Sequence, residues 1–157
     1  MTHESDLSQL IQERAVIDVL LSYCASVDEV RLDDISMCFT PDCLFDGGHG
    51  RIARGRAEMR QFAEARLKLY ESTSHHLSNC QVQFRSADEA SSRSYVFAFH
   101  RLHASKRVAL LWGRYDDEFV RSNEGWFIRS RRLRVADDDG FDPTPGYATA
   151  FERYRRG

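Results

Sequence analysis

Apolar and polar positions alternate with a period of two along three consecutive stretches in the last third of the chain. In residues 92–103, Tyr95, Phe97 and Phe99 alternate with Val96, Ala98, His100 and Leu102. Residues 108–120 carry Trp112, Tyr115 and Phe119, and residues 126–135 set Phe127, Leu133 and Val135 against Trp126 and Ile128. This period, with its aromatic and β-branched content, predicts three strands. The breaks at 104–107 and 121–125 are short and polar, and links of that length join antiparallel neighbours. Such a meander offers one broad curved face, which the N-terminal half must cover.

Upstream the period changes to that of helices. A helix capped by Ser5 or Asp6 is expected to run to about residue 30. At about 100° per residue, Leu10, Ile17, Leu21, Cys24 and Asp28 fall within a stripe roughly 60° wide. Asp28 thereby lies on the apolar face, where a carboxylate is costly unless paired, or, if the helix ends there, it is a solvated terminal residue. Tyr23 lies about 140° away on an ideal helix, so only a fold that wraps the helix brings both to one cavity. A short helix at 32–39, ended by Thr40-Pro41, is followed by a short strand at 43–46. The Gly47-Gly48-His49-Gly50 turn then leads to a hairpin partner at Ile52 and Ala53. No Lys-Ser/Thr follows these glycines, so they read as a turn rather than a phosphate loop. A helix at 57–70 keeps Met59, Phe62, Ala63, Arg66 and Tyr70 at core spacing.

Adjacent histidines, His75 and His76, lead into a strand at 80–85. Counting by two from Cys80, Val82 and Phe84 puts His76 on their face and His75, with Leu77 and Asn79, on the other. A bulge would reverse this, and bulges recur beside active sites. His100, alone on a face of Val96, Ala98 and Leu102, has the surroundings of a core histidine. Arg129, Arg131, Arg132 and Arg134 on the last strand read as a solvated face or an oligomer contact, with a site for an acidic substrate as the sharper alternative.

Length and charge narrow the function. A chain of 157 residues suits one domain, and a net charge of −2 with interspersed signs gives no field for nucleic acid or membrane. No apolar run approaches the roughly eighteen residues of a membrane span. The polar N-terminus does not read as a signal peptide. Cys24, Cys38, Cys43 and Cys80 lack metal-site spacing and read as reduced thiols of a cytoplasmic protein. After Val135 the composition shifts, so the expected division is a domain at 1–136 and a tail at 137–157. The tail reads either as a flexible terminus or as a lid, and Phe141, Tyr147, Phe151 and Tyr154 give it aromatic surface with which to lie back across the cone.

The order helix, short helix, hairpin, helix and long sheet resembles the nuclear transport factor 2-like fold. Within it the chain is similar to the scytalone dehydratase and SnoaL-like group over residues 7–135. The matching stretches are Tyr23-x4-Asp28, His75-x-Leu77-x-Asn79 and Gly113-Arg114-Tyr115 followed by Gly125-Trp126. The resemblance implies an α+β fold: a cone-shaped, curved antiparallel β-sheet covered by N-terminal helices. It also implies an aspartate–histidine dyad inside the cone, shared by hexachlorocyclohexane dehydrochlorinase and the bile-acid dehydratases. By position the dyad is Asp28 and His75, Tyr23 matches a pocket tyrosine, and His100 falls near a second acid/base. His76, Tyr115, Trp112 and Phe62 are the expected substrate contacts. Scytalone dehydratases carry a catalytic tyrosine just after the first hairpin strand, where this chain has Gly47.

A carboxylate bonded to one ring nitrogen fixes a histidine's tautomer and stabilises its imidazolium, and an apolar cone strengthens the pair by excluding water. The expected activity is a lyase working by dehydratase-type elimination on a hydrophobic cyclic small molecule, with no cofactor and no metal. An isomerase or polyketide cyclase would use the same base. A non-catalytic ligand-binding or assembly subunit, like the small subunits of dioxygenases, is the contrasting function. Aromatic residues on both faces of the sheet predict a homo-oligomer, and the resemblance to the dehydratases, which are trimers, implies a trimer in preference to the dimer of many other members of the fold.

Overall fold

The computed structural model of the chain describes residues 2–48 and 50–141. Helix α1 spans Thr2–Asp28 and α2 spans Leu32–Met37. Strand β1 (Phe39–Asp46) and strand β2 (Ile52–Arg54) form the hairpin, and α3 covers Gly55–Leu67. Four long strands follow: β3 (Tyr70–Phe84), β4 (Glu89–Leu102), β5 (Val108–Ser122) and β6 (Gly125–Asp139). They form one curved, unclosed sheet of order β2-β1-β6-β5-β4-β3. The α+β class and the helix-covered sheet are as expected.

One pairing departs from the antiparallel expectation: β1 runs parallel to β6. Parallel neighbours need a long connection, and here everything from β2 to β5 intervenes. Several element bounds also move. Phe39 opens β1 instead of closing α2, and α3 stops at Leu67, because Tyr70 already pairs with Leu102 in β3. Strand β6 continues to Asp139, with Asp137 opposite Trp112, so the acidic run past Val135 belongs to the sheet and not to a tail. Among the described residues no helix is long and apolar enough to cross a membrane.

The core lies between the concave face of the sheet and the helices. Val16, Leu20, Tyr23, Cys24 and Val27 are the buried hydrophobic residues of α1, whereas Leu10 and Leu21 are exposed. The buried face is therefore rotated from the expected stripe and centred on Leu20 and Tyr23, which is how Tyr23 and Asp28 come to one region. Ile35 of α2, Met59 of α3, and Phe39, Phe119 and Ile128 of the sheet complete the core. The Trp126 indole donates to Gln12 Oε1 at 2.9 Å, tying the start of β6 to α1.

Two bulges set which side chains face this core. In β3 the register shifts between Ser78 and Gln81, with Asn79 at φ 49° in the left-handed region. His75 and Leu77 thereby share a face with Cys80, Val82 and Phe84, the reverse of simple counting. In β6 the register shifts at Arg129, and Trp126 and Ile128 join Arg131, Leu133 and Val135 on the inner side. Gly113 is required where β5 crosses this sheet, since a Cβ there would stand 2.7 Å from the Arg134 carbonyl oxygen.

Candidate active site

Asp28 is the last residue of α1 and accepts three hydrogen bonds from β3. His75 Nδ1 stands 2.7 Å from Oδ1, the His75 main-chain N–H donates to Oδ2 at 2.8 Å, and the Thr73 hydroxyl donates to Oδ1 at 2.8 Å. A carboxylate at a helix C-terminus gains nothing from the helix dipole, so these bonds carry its stabilisation. Burial pushes its pKa up, but the bonds from His75 and Thr73 outweigh that and hold it below the ordinary carboxylate value. An ionised carboxylate only accepts, so Nδ1 carries the proton and Nε2 keeps its lone pair. The His75 side chain is nearly buried, at 9% exposure.

His75 lines a cavity of about 110 Å³ whose walls include Val27, Met59, Phe62, Ala98 and Leu111. Tyr23, Tyr115 and His100 also line it. The His100 ring meets the His75 ring edge-on at 5.5 Å and lies 4.6 Å from Tyr70 and 5.2 Å from Phe141. Burial first, and then the neighbouring His75, push the His100 imidazole down to about 3. It is a neutral ring at physiological pH and serves as a hydrogen-bonding wall, not as an imidazolium acid. Its Nδ1 is buried with no hydrogen-bond partner among the described residues.

Tyr23 packs edge-on against Tyr115 with ring centroids 6.1 Å apart. Between them sits Arg131, whose guanidinium carbon is 4.3 Å from the Tyr23 ring centre and 4.1 Å from that of Tyr115. Arg131 is fully buried and bonds Asp117 in bidentate fashion, Nε to Oδ1 and Nη2 to Oδ2, both at 2.8 Å. Burial opposes the charge on Arg131, and Asp117 more than restores it. Burial pushes the Tyr23 phenol up to about 12 and Tyr115 well above its ordinary value. Both are neutral hydrogen-bond donors. Arg131 therefore leaves the solvated face on which simple counting puts it. Arg129, Arg132 and Arg134 do stay outside, paired with Glu89, Asp46 and Asp116.

Of the expected site residues, the structure brings Asp28, His75, His100, Tyr23, Tyr115 and Phe62 together. It does not bring His76 or Trp112 to the cavity. His76 faces outward, 3.0 Å from the Ser74 hydroxyl and with its ring 6.1 Å from that of Phe97. Trp112 is opposite Phe97 on the convex face, their rings 5.5 Å apart. Strict alternation along β5 sends Leu111 inward and Trp112 outward, and the β3 bulge does the same for His75 and His76.

Sequence reasoning missed Thr73, Tyr70, Arg51 and Arg66, all of which line the cavity. Thr73 could have been found by strand parity, two residues before His75. Arg66 has core spacing on α3 and hides among apolar neighbours. Gly47 lines the cavity too, and a Cβ there would lie 3.0 Å from the Phe45 ring and 3.3 Å from that of Phe62. Those two rings leave little room for a side chain at Gly47, where the resemblance expects a tyrosine. Gly140, at φ 79° with no room for a Cβ beside the Val108 carbonyl, turns the chain so that Phe141 reaches His100. The remainder of the expected lid, with Tyr147, Phe151 and Tyr154, lies outside the described residues.

Residues 8–132 match the family described as the SnoaL-like domain. An uncharacterized protein of Mycobacterium tuberculosis is 29% identical over 127 residues, covering 80% of this chain and 86% of its own. A Novosphingobium aromaticivorans structure provisionally assigned as a scytalone dehydratase superposes with a TM-score of 0.85 at 26% identity. It covers 100% of this chain and 99% of its own. The type 3 hexachlorocyclohexane dehydrochlorinase of Novosphingobium barchaimii gives 0.77 at 18% identity, over 90% and 95% of the two chains. At that identity the likeness is one of fold.

Proposed function

We propose that this chain, which belongs to the SnoaL-like domain family, is a lyase that eliminates a leaving group from a hydrophobic cyclic small molecule. The observation that carries the proposal is the 2.7 Å contact between His75 Nδ1 and Asp28 at the wall of an apolar cavity. In this reading His75 Nε2 removes a proton from carbon, and the C–H electrons form the new double bond as the leaving group departs. A departing hydroxide takes the proton back from the imidazolium and leaves as water. Asp28 stabilises the imidazolium meanwhile, and the apolar walls keep that pairing strong by excluding bulk water. Tyr23 and Tyr115, as neutral phenols, donate hydrogen bonds to a carbonyl or leaving oxygen. The step needs no cofactor.

The likeness to a structure assigned as a scytalone dehydratase supports the reaction class. We further propose that the protein works in the cytoplasm as a homo-oligomer, a trimer, joined through the convex face of the sheet.

The test is incubation of the full chain in heavy water with cyclic ketones bearing a β-hydroxyl or β-halogen. Elimination, or deuterium entering the α carbon, is expected. His75→Gln and Asp28→Asn should each slow it about 10²- to 10⁴-fold. Equal rates for the wild type and His75→Gln would overturn the assignment of the base.

A further inference from the structure

Thr73 donates to Asp28 Oδ1 at 2.8 Å, on the same oxygen that meets His75 Nδ1 at 2.7 Å. An ionised carboxylate only accepts, so the threonine hydroxyl spends its one proton there and its rotor is fixed. Its place on the inner face comes from a register shift of its own. Tyr70 pairs with Leu102 and Ser72 with Arg101, so Glu71 is one residue more than β4 matches. Tyr70 and Thr73 therefore both line the cavity although they stand three positions apart. Two positions further on, plain alternation brings the face round again to His75.

Among the described residues, the three donors to the Asp28 carboxylate are not equivalent. The His75 main-chain N–H holds Oδ2. About that contact Oδ1 is free to swing and follow the imidazole, because Nδ1 belongs to the group that the carboxylate has to aim. Thr73 is the donor on Oδ1 that His75 does not carry. A β-branched side chain is stiff at χ1, so the backbone of β3 dictates where the hydroxyl points. Oδ1 thus takes its place from the strand, and the ring takes its direction from Oδ1.

We propose that Thr73 is a positioning residue of the reaction: by holding Asp28 Oδ1 it fixes the plane of the His75 imidazole and the direction in which Nε2 meets the substrate. The inference rests on His75 being the base and adds the residue that aims it. Thr73 touches no reacting atom in this role and acts through Asp28. A base turned off line loses rate of proton transfer, while the fit of a substrate ring among Met59, Phe62 and Leu111 stays as it was.

The experiment replaces the hydroxyl by a methyl of similar shape, Thr73→Val, in the full chain at neutral pH. Nuclear magnetic resonance reads the exchange of the His75 Nδ1 proton with water, with the Trp126 indole proton as reference. That indole donates to Gln12, about 24 Å along α1 from Asp28. Exchange at His75 should quicken about three- to tenfold while that at Trp126 stays unchanged. Thr73→Ser, which keeps the hydroxyl, should restore most of the protection, and Thr73→Ala should behave as the valine variant does. With the β-hydroxy cyclic ketones, kcat of Thr73→Val should fall about tenfold with KM within about twofold. The proton measurement needs no substrate, so it decides the role of Thr73 even where the elimination test fails. Absence of a protected His75 Nδ1 proton in the wild type overturns the inference without any variant. So do unchanged exchange at His75 in Thr73→Val, an equal quickening at both protons, or a serine variant as fast as the valine one. A valine variant that eliminates with the wild-type kcat overturns it too.

Discussion

His75 and Cys80 point to the same face of β3 although they stand five positions apart in one strand. Odd spacing puts side chains on opposite faces, and the register shift between Ser78 and Gln81 reverses that. Asn79, at φ 49°, is the residue that absorbs the extra length. Deleting Asn79 should restore plain alternation, turn His75 outward and bring His76 in at Asp28's expense. The expected loss of elimination is about 10²- to 10⁴-fold in a chain that still folds. Asn79→Gly should be near neutral, whereas Asn79→Val should cost about 1–3 kcal/mol in urea denaturation. Full activity after deletion of Asn79 would contradict the role of the bulge.

His100 makes a pH prediction. Its imidazole is pushed from the ordinary value of 6.5 down to about 3, so between those values the unfolded chain binds a proton that the folded chain refuses. Stability therefore rises with pH through that window and is lost as pH falls from 6.5 toward 3. The slope from this group is at most about 1.4 kcal/mol per pH unit. His100→Phe should flatten the curve between pH 6.5 and about 4. An unchanged slope would mean that another group carries the acid sensitivity.

The Arg131–Asp117 pair is a core element, and its removal should behave as one. Arg131→Met leaves a buried, unpaired carboxylate and should cost about 3–5 kcal/mol. Combining Arg131→Met with Asp117→Leu should recover much of that loss, because the pair's mutual attraction is offset by the desolvation of both ions. Chemical denaturation of the three variants measures this. An additive double variant would show that the two residues do not act together.

On the convex face, Tyr95 is 45%, Phe97 37% and Trp112 40% exposed. A contiguous aromatic patch of that kind is uncommon on a monomer. Phe97→Lys with Trp112→Glu should reduce the mass seen by light scattering from that of an oligomer to that of one chain. The melting temperature of the isolated chain should change little, since neither side chain reaches the core. A monomeric wild type at micromolar concentration would remove this face from assembly.

Much of the fold is legible in the sequence because its signals are local. Period-two alternation in 92–135 marks β4 to β6, and the turns between them are short and polar. The parallel β1–β6 pairing is not legible, since it is a contact between distant segments. Asp28 stands out as a carboxylate among apolar helical neighbours, and His75-His76 as a pair at a strand start. Which histidine faces inward depends on a single residue in the left-handed region, and periodicity is blind to that. Arg131 misleads for the same reason: the bulge at Arg129 shifts its face, and four arginines in close succession look alike until the register is known. Arg66 is concealed by helical spacing that also serves core packing.

The Asp28 carboxylate holds both the ring and the main chain of His75, and that double attachment has a consequence for motion. A base carried on a side-chain torsion alone would swing independently of its acid partner as the molecule breathes. Here the end of α1 and the middle of β3 are pinned at one joint, so small tilts of the helix carry the imidazole with them. The aim of the base then survives thermal agitation until the joint itself opens, and the joint opens when α1 lifts from the sheet. Hydrogen exchange at the His75 amide should consequently report the same opening as the loss of turnover on heating, with one temperature governing both.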